Sequence, residues 1–185
     1  MTLTKTPICD FGKKADPFKL LSTDNKQIEL NNIKGENGTL IMFICNHCPY
    51  VKAVIKDIVD DCRELEKIGI KSVAICSNDV KSYPEDSFEN MIKFSKNNNF
   101  HFPYLIDESQ SVAKTYDAVC TPDFFGYNDK LELQYRGRIR ELKDLKPIRD
   151  GESDLFTAMK QISETGNGPK DQIPSMGCNI KWFNS

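Results

Sequence analysis

An unbroken apolar run, Leu40-Ile41-Met42-Phe43-Ile44, feeds directly into Cys45-Asn46-His47-Cys48-Pro49, and beyond it apolar residues recur at 51, 54, 55, 58, 59, 62 and 65. A run with no polar face suits a strand covered on both sides, as in a parallel sheet. The spacing that follows is that of a helical stripe, predicting a helix over 49–67, and Gly69 supplies a residue able to end it. Ile70 to Cys76 then reads as a second buried strand. Strand, helix and strand between Thr39 and Cys76 make a βαβ unit with a right-handed crossover. The chain therefore carries two cysteines from a strand onto a helix N-terminus.

The bulk numbers narrow the partners. A chain of 185 residues, 39% apolar and 28% charged, is long enough for one well-formed core, and a single domain over 1–185 is expected. A net charge of −2 gives no pull toward nucleic acid or an anionic membrane. No apolar run approaches the ~20 residues of a membrane span. Residues 1–16 lack the apolar core of a signal peptide, so a cytoplasmic location is expected. In a reducing compartment seven scattered cysteines read as thiols, and a C-x-x-C pair as catalytic or metal-binding.

Along the chain, residues 1–16 read as a loosely held arm carrying Cys9, and 167–185 as a tail. Phe18 to Leu21 and Gln27 to Leu30 flank a polar turn and predict a hairpin. Ser82-Tyr83-Pro84-Glu85 resembles a capping box opening a helix with Phe88, Met91 and Ile92 on one face. Phe102 to Ile106 is a short strand, and 107–116 a short helix opened by Asp107 and Gln110. After Thr121-Pro122, Asp123 to Tyr127 and the alternating Leu131, Leu133 and Tyr135 predict an antiparallel hairpin. Leu155, Ala158, Met159 and Ile162 mark a last helix ending near Gly166.

A βαβ unit, then Thr-Pro, then a hairpin and a helix, all downstream of C-x-x-C, resembles the thioredoxin superfamily. The N-terminal hairpin and the insert between Cys76 and Tyr104 resemble its peroxiredoxin-like, AhpC/TSA-type branch. The stretches Cys45-Asn46-His47-Cys48-Pro49-Tyr50-Val51, Ser77-Asn78-Asp79, Thr121-Pro122-Asp123-Phe124-Phe125 and Gly177-Cys178-Asn179-Ile180-Lys181-Trp182 are similar to a bacterial group within it. The resemblance covers roughly residues 15–183. It implies an α/β fold with a central mixed sheet and helices on both faces. It also implies that Pro122 is the cis-proline facing the cysteines, and that Thr121 offers its main chain to a substrate strand.

The chemistry expected is thiol–disulfide exchange. Only a thiolate attacks a disulfide, and a helix N-terminus favours negative charge. Cys45, just before that terminus, is the expected attacking thiol; Cys48, about one turn in, the resolving one. His47 between them would stabilise a thiolate and make the pair more oxidising. The partners implied are a disulfide-bearing protein or small thiol substrate, and a second reductant or oxidant; no cofactor is expected. Thr39 stands where thioredoxins carry a buried acid, which leaves Glu36 as a weak substitute base.

Two rivals stay open. Peroxiredoxins carry Pro-x-x-x-Thr-x-x-Cys, and aligned on Cys48-Pro49 those Thr and Pro positions are Cys45 and Ile41, which argues against an efficient peroxidase. Cys45, Cys48 and His47, with His101 or Cys178 approaching, would make a Cu(I) or Zn(II) site, although one C-x-x-C supplies only two ligands and no metal is expected. Cys62, Cys76 and Cys120 read as core. Cys178 reads either as a third redox thiol or as part of a tail that covers apolar surface with Ile180 and Trp182. Arg136-Gly137-Arg138-Ile139-Arg140 reads as a solvated edge strand, and Phe124, Phe125 and Tyr127 as sheet cover.

Overall fold

The computed structural model describes residues 2–183. The extremes of the expected arm and tail, Met1, Asn184 and Ser185, lie outside the described residues. Within them the order is β1 (Leu3–Lys5), β2 (Lys19–Ser22), β3 (Gln27–Glu29), β4 (Gly38–Phe43), α1 (Pro49–Lys67), β5 (Ile70–Cys76), α2 (Phe88–Asn97), β6 (Tyr104–Ile106), α3 (Ser111–Thr115), β7 (Cys120–Thr121), β8 (Asp123–Tyr127), β9 (Leu133–Tyr135), β10 (Leu142–Lys143), β11 (Lys146–Pro147), α4 (Asp154–Thr165) and β12 (Met176–Asn179).

Seven strands form a mixed sheet in the order β3-β2-β6-β5-β4-β8-β9. β4 sits inside it, parallel to β5 and antiparallel to β8, and all six of its residues are buried. Its side chains alternate between two cores. Leu40, Met42 and Ile44 pack with residues of α1, α2 and α4. Ile41 and Phe43 pack on the other face with Ala113 and Tyr116 at α3, and with Phe18, Leu30 and Ile33. Helices cover both faces, which is why β4 is apolar throughout from Leu40 to Phe43. This is the thioredoxin-like α/β architecture.

α1 buries Val51, Val54, Ile58, Val59, Cys62 and Leu65. These are the stripe positions apart from Ile55, which is partly buried against the same core. α2 begins later than the Ser82 motif suggests. Ser82 Oγ donates to Asp79 Oδ2 at 2.7 Å, and a single 3-10 turn at Pro84–Asp86 intervenes. The residue that caps α2 is Ser87, whose hydroxyl accepts from Asn90 N. Likewise α3 is only Ser111–Thr115, and the Asp107 carboxylate accepts from Ala113 N.

Two readings are corrected, the loose arm and the solvated basic run. The N-terminal arm is not loose: β1 pairs antiparallel with β12, and β12 in turn with β7, as a separate three-stranded sheet β1-β12-β7. The tail is therefore a strand, with Ile180 buried and Trp182 packed on the second core. The basic run is not a solvated edge. Arg136 is buried, donates to Asp123 from Nη2 at 3.0 Å and Nε at 3.4 Å, and lies 4.4 Å from the centre of the Phe125 ring. Arg138 pairs with Asp154 and Glu141, and Arg140 with Asp57. These charges tie the β9–α4 connection to the body rather than facing water.

Asp123 is fully buried, so removing it would strand the Arg136 charge away from solvent. Asp123→Ala is expected to lower unfolding stability by about 3–5 kcal/mol, read as a fall in the urea midpoint at unchanged slope; a loss within experimental error would show that the pair is not a structural lock.

Candidate active site

β4 delivers the cysteines. Ile44 N still bonds to Ile75 O at 3.0 Å, and the chain then leaves the sheet through Cys45, Asn46 and His47. Cys48 is the N-cap of α1 and Pro49 its first residue, where the missing proline N–H costs nothing. The second cysteine thus stands at the positive end of the helix, and the first lies before it. Both are shielded, at 1% and 0% exposure.

The sulfurs share partners. Cys45 Sγ lies 3.4 Å from Thr121 Oγ1 and 3.9 Å from His47 Nδ1. Cys48 Sγ lies 3.2 Å from the Thr121 carbonyl oxygen and 3.0 Å from Cys178 Sγ. The negative charge of the pair rests on Cys48. Its thiol is lowered to about 4, first by a hydrogen bond from Cys45 and further by Cys178, Thr121 and the Val51 N–H, against the opposing effect of burial. Cys45 is pushed well up, by donating to Cys48, by burial and by the nearby Asp86 carboxylate. That direction is the reverse of the one expected from spacing. The first cause is that Cys45 donates to Cys48; Cys48 stands as the N-cap residue of α1, where the Val51 N–H adds a smaller contribution.

Asp86 is the residue that sequence reasoning missed. It is 0% exposed and reaches the loop from the 3-10 turn. Its Oδ1 accepts from Asn46 N at 2.8 Å and His47 N at 3.3 Å; its Oδ2 accepts from His47 Nδ1 at 2.7 Å and Asn78 Nδ2 at 2.8 Å. Burial pushes its carboxyl up, but the bonds from His47, Asn78 and Asn46 outweigh it and hold it below the usual carboxylate range. In return, the Asp86 bond raises His47 above its ordinary value, against burial. The His47 ring stacks on Tyr83 with centroids 5.5 Å apart, and Asn46 is fixed by Tyr104 OH and Glu85 O. The sequence signal was Asn78 and Asp86 sharing one insert. Glu36 is exposed at the far end of β4 and takes no part.

The Thr121–Pro122 peptide is cis. Thr121 reaches both sulfurs, Cys45 by its hydroxyl and Cys48 by its carbonyl. The main-chain edge that the resemblance reserves for a substrate strand is occupied by β12, in the register Cys178↔Thr121 and Asn179↔Cys120. Gly177 permits this closeness, since a Cβ there would overlap the Thr121 carbonyl oxygen. The structure thus gathers Cys45, Cys48, His47, Thr121, Pro122 and Cys178 at one place. A cavity of about 490 Å³ opens beside them, lined by Tyr50, Val54, Pro122, Met176, Arg138 and Arg140 among others.

The other thiols are inert by environment. Burial pushes Cys62 and Cys76 up to about 12 and Cys9 to about 11. Cys120 is fully buried and raised further by burial. His101 lines a different cavity with Ile70 and Lys71, at the end of the sheet away from the cysteines. Among the described residues the donor cluster with metal-ligand spacing is Cys45, His47 and Asp86, with ligand atoms within 4.8 Å of one another; Cys48, expected as a ligand, is outside it. Among the described residues no helix is long and apolar enough to cross a membrane.

The whole fold has known counterparts. An uncharacterized conserved protein from Geobacillus kaustophilus superposes with a TM-score of 0.94 at 41% identity, covering 100% of this chain and 98% of that one. A hypothetical protein from Sinorhizobium meliloti 1021 does so with a TM-score of 0.90 at 33% identity, covering 100% of both chains. The thioredoxin domain of a thiol-disulfide oxidoreductase from Bacteroides vulgatus matches with a TM-score of 0.63 at 13% identity, over 83% of this chain and 97% of that one, a likeness of fold alone. No curated protein matches the sequence. The family model for AhpC/TSA matches residues 11–142, a span that holds the sheet, α1, the two cysteines and the Thr-Pro loop, and so the chain belongs to the AhpC/TSA family.

Proposed function

We propose that the protein is a thiol–disulfide oxidoreductase working through Cys45 and Cys48. The observation that carries this is geometric: two cysteines at the start of α1 face the cis Thr121–Pro122 bend, with Cys45 Sγ 3.4 Å from the Thr121 hydroxyl and Cys48 Sγ 3.2 Å from its carbonyl oxygen, and the hydrogen bond from Cys45 favours the thiolate on Cys48. Cys48 is hemmed in by the Thr121 carbonyl and Cys178, so the attacking role falls to Cys45, beside the partly buried His47 ring; both sulfurs are shielded, and substrate entry requires the covering segments to open. As Cys45 attacks a substrate disulfide, its proton passes to Cys48. The substrate S–S bond breaks, and the departing thiolate takes that proton. Cys48 then attacks the Cys45 sulfur of the mixed disulfide, the second substrate thiolate leaves and is protonated by solvent, and a Cys45–Cys48 disulfide remains. The substrate gains two electrons and the dithiol loses two. His47, held by Asp86, supplies a positive charge that favours the reduced form.

The thiolate on Cys48 also favours a second reading, peroxide reduction, in which Cys48 attacks the peroxide oxygen and becomes a sulfenic acid. Steady hydrogen peroxide consumption with a thiol donor, lost in Cys48→Ser, would put this reading first.

Cys45→Ser is expected to abolish reduction of a model disulfide, and Cys48→Ser to accumulate a mixed disulfide visible by mass. Full activity in both variants would remove the dithiol from the mechanism. His47→Ala is expected to make the pair more reducing by about 30 mV, or ~1.4 kcal/mol, measured against a glutathione redox buffer; an unchanged potential would confine His47 to structure. With two histidines in the chain, the imidazole proton signals separate readily. His47 is expected to titrate above the ordinary value of about 6.5 and to fall back toward it in Asp86→Asn. By linkage, the His47–Asp86 bond contributes stability that is whole below the ordinary value and is lost as pH rises through the raised one. An identical His47 titration in both proteins would show that Asp86 does not hold the proton.

A further inference from the structure

We infer that Cys178 is a third redox thiol, carried on β12 along the main-chain edge where a substrate strand would lie, and that oxidation of the site ends in a Cys48–Cys178 disulfide. This rests on the dithiol reading above and names where its oxidising equivalents come to rest. Three independent features point to it. Cys178 Sγ is 3.0 Å from Cys48 Sγ, across 130 positions of sequence. The ladder that puts it there, Cys178 opposite Thr121, belongs to the residue that touches both C-x-x-C sulfurs, Cys45 by its hydroxyl and Cys48 by its carbonyl. Finally, Gly177 is the residue that lets β12 approach so closely, because any side chain would collide with the Thr121 carbonyl.

β12 is held in place from both sides. Ser175 Oγ donates to Pro122 O at 2.8 Å, Asn179 N to Thr2 O, and Ile180 N to Val119 O. Beyond it, Lys181 N donates to Asn78 Oδ1, the same asparagine that serves Asp86. The strand that presents the third sulfur is thus fixed to the network that orients His47.

The step is an exchange without external oxidant. The substrate disulfide first oxidises Cys45 and Cys48 to their mutual disulfide. Cys178 then attacks the Cys48 sulfur. The Cys45–Cys48 bond breaks, its electron pair goes to Cys45, the Cys178 proton follows to the Cys45 thiolate, and a Cys48–Cys178 bond forms. Cys45 is reduced and Cys178 oxidised. Before oxidation, burial and the charge on Cys48 both keep the proton on Cys178; once Cys48 is in a disulfide, the second of these two effects is gone. An external thiol donor then reduces the Cys48–Cys178 bond.

The test is disulfide mapping by alkylation and mass spectrometry of the whole chain, after oxidation with oxidised dithiothreitol. The wild type is expected to lose alkylation at Cys48 and Cys178 and keep it at Cys45. Cys178→Ser, which adds no volume, is expected to move the linkage to Cys45–Cys48. Gly177→Ala, which keeps every thiol but pushes β12 off Thr121, is expected to do the same. Cys45→Ser, which lacks the entry thiol, is expected to keep both Cys48 and Cys178 alkylated. A wild type linked Cys45–Cys48 with Cys178 fully alkylated would overturn this inference while leaving the dithiol reading intact. No linkage among the three sulfurs, with full exchange activity in Cys45→Ser, would overturn both.

Discussion

A carboxylate cut off from water must be satisfied from within the protein, because leaving one unpaired costs several kcal/mol. Asp86 meets that demand with two backbone N–H groups, one imidazole and one side-chain amide. The two amides belong to Asn46 and His47, the residues between the cysteines, so the solvation of Asp86 and the shape of the redox loop are one problem. The carboxylate cannot be buried unless the loop turns as it does. Once buried, it favours the protonated form of His47 and raises Cys45, which donates to Cys48 at the start of α1. The electrostatics of the site follow from this demand together with the bond between the two sulfurs.

The Thr121–Pro122 bend does the corresponding work on the opposite side. Cys120 and Thr121 pair outward with β12, whereas Asp123, two residues on, begins the strand that pairs with β4. One short segment therefore serves two sheets and hands each sulfur a polar neighbour. The buried Asp123–Arg136 pair anchors the inward half of the bend, and Gly177 admits the strand on its outward half.

Much of this was legible in the sequence where a signal was local and strong. The apolar run of β4, the stripe of α1, the hairpin after Pro122 and the position of both cysteines at a strand-to-helix junction all came from periodicity and punctuation. What was not legible depended on distant partners. Asp86 directly follows the predicted capping box and carries no burial signal of its own; donors from Asn46, His47 and Asn78 make it buriable. Arg136, Arg138 and Arg140 read as a solvated face because their acids lie in other elements. Ser82 fits a capping motif, yet its hydroxyl is taken by Asp79, and Ser87 does the capping. β1 and β12 are short and show no alternation; they are strands because they meet each other and Thr121. The start of α1 at Pro49 was legible from the apolar stripe; the charge order of the two thiols was not, because it turns on which sulfur donates to the other.

The pairing of β1 with β12 bears on the order in which the molecule is assembled. The seven-stranded sheet is complete by Tyr135, whereas the strand that covers the sulfurs pairs Cys178 with Leu3. Closing so long a loop is entropically late. A chain in which this strand docks last would hold its two cysteines uncovered until then, and docking would seal in whatever disulfide or thiol state they had reached.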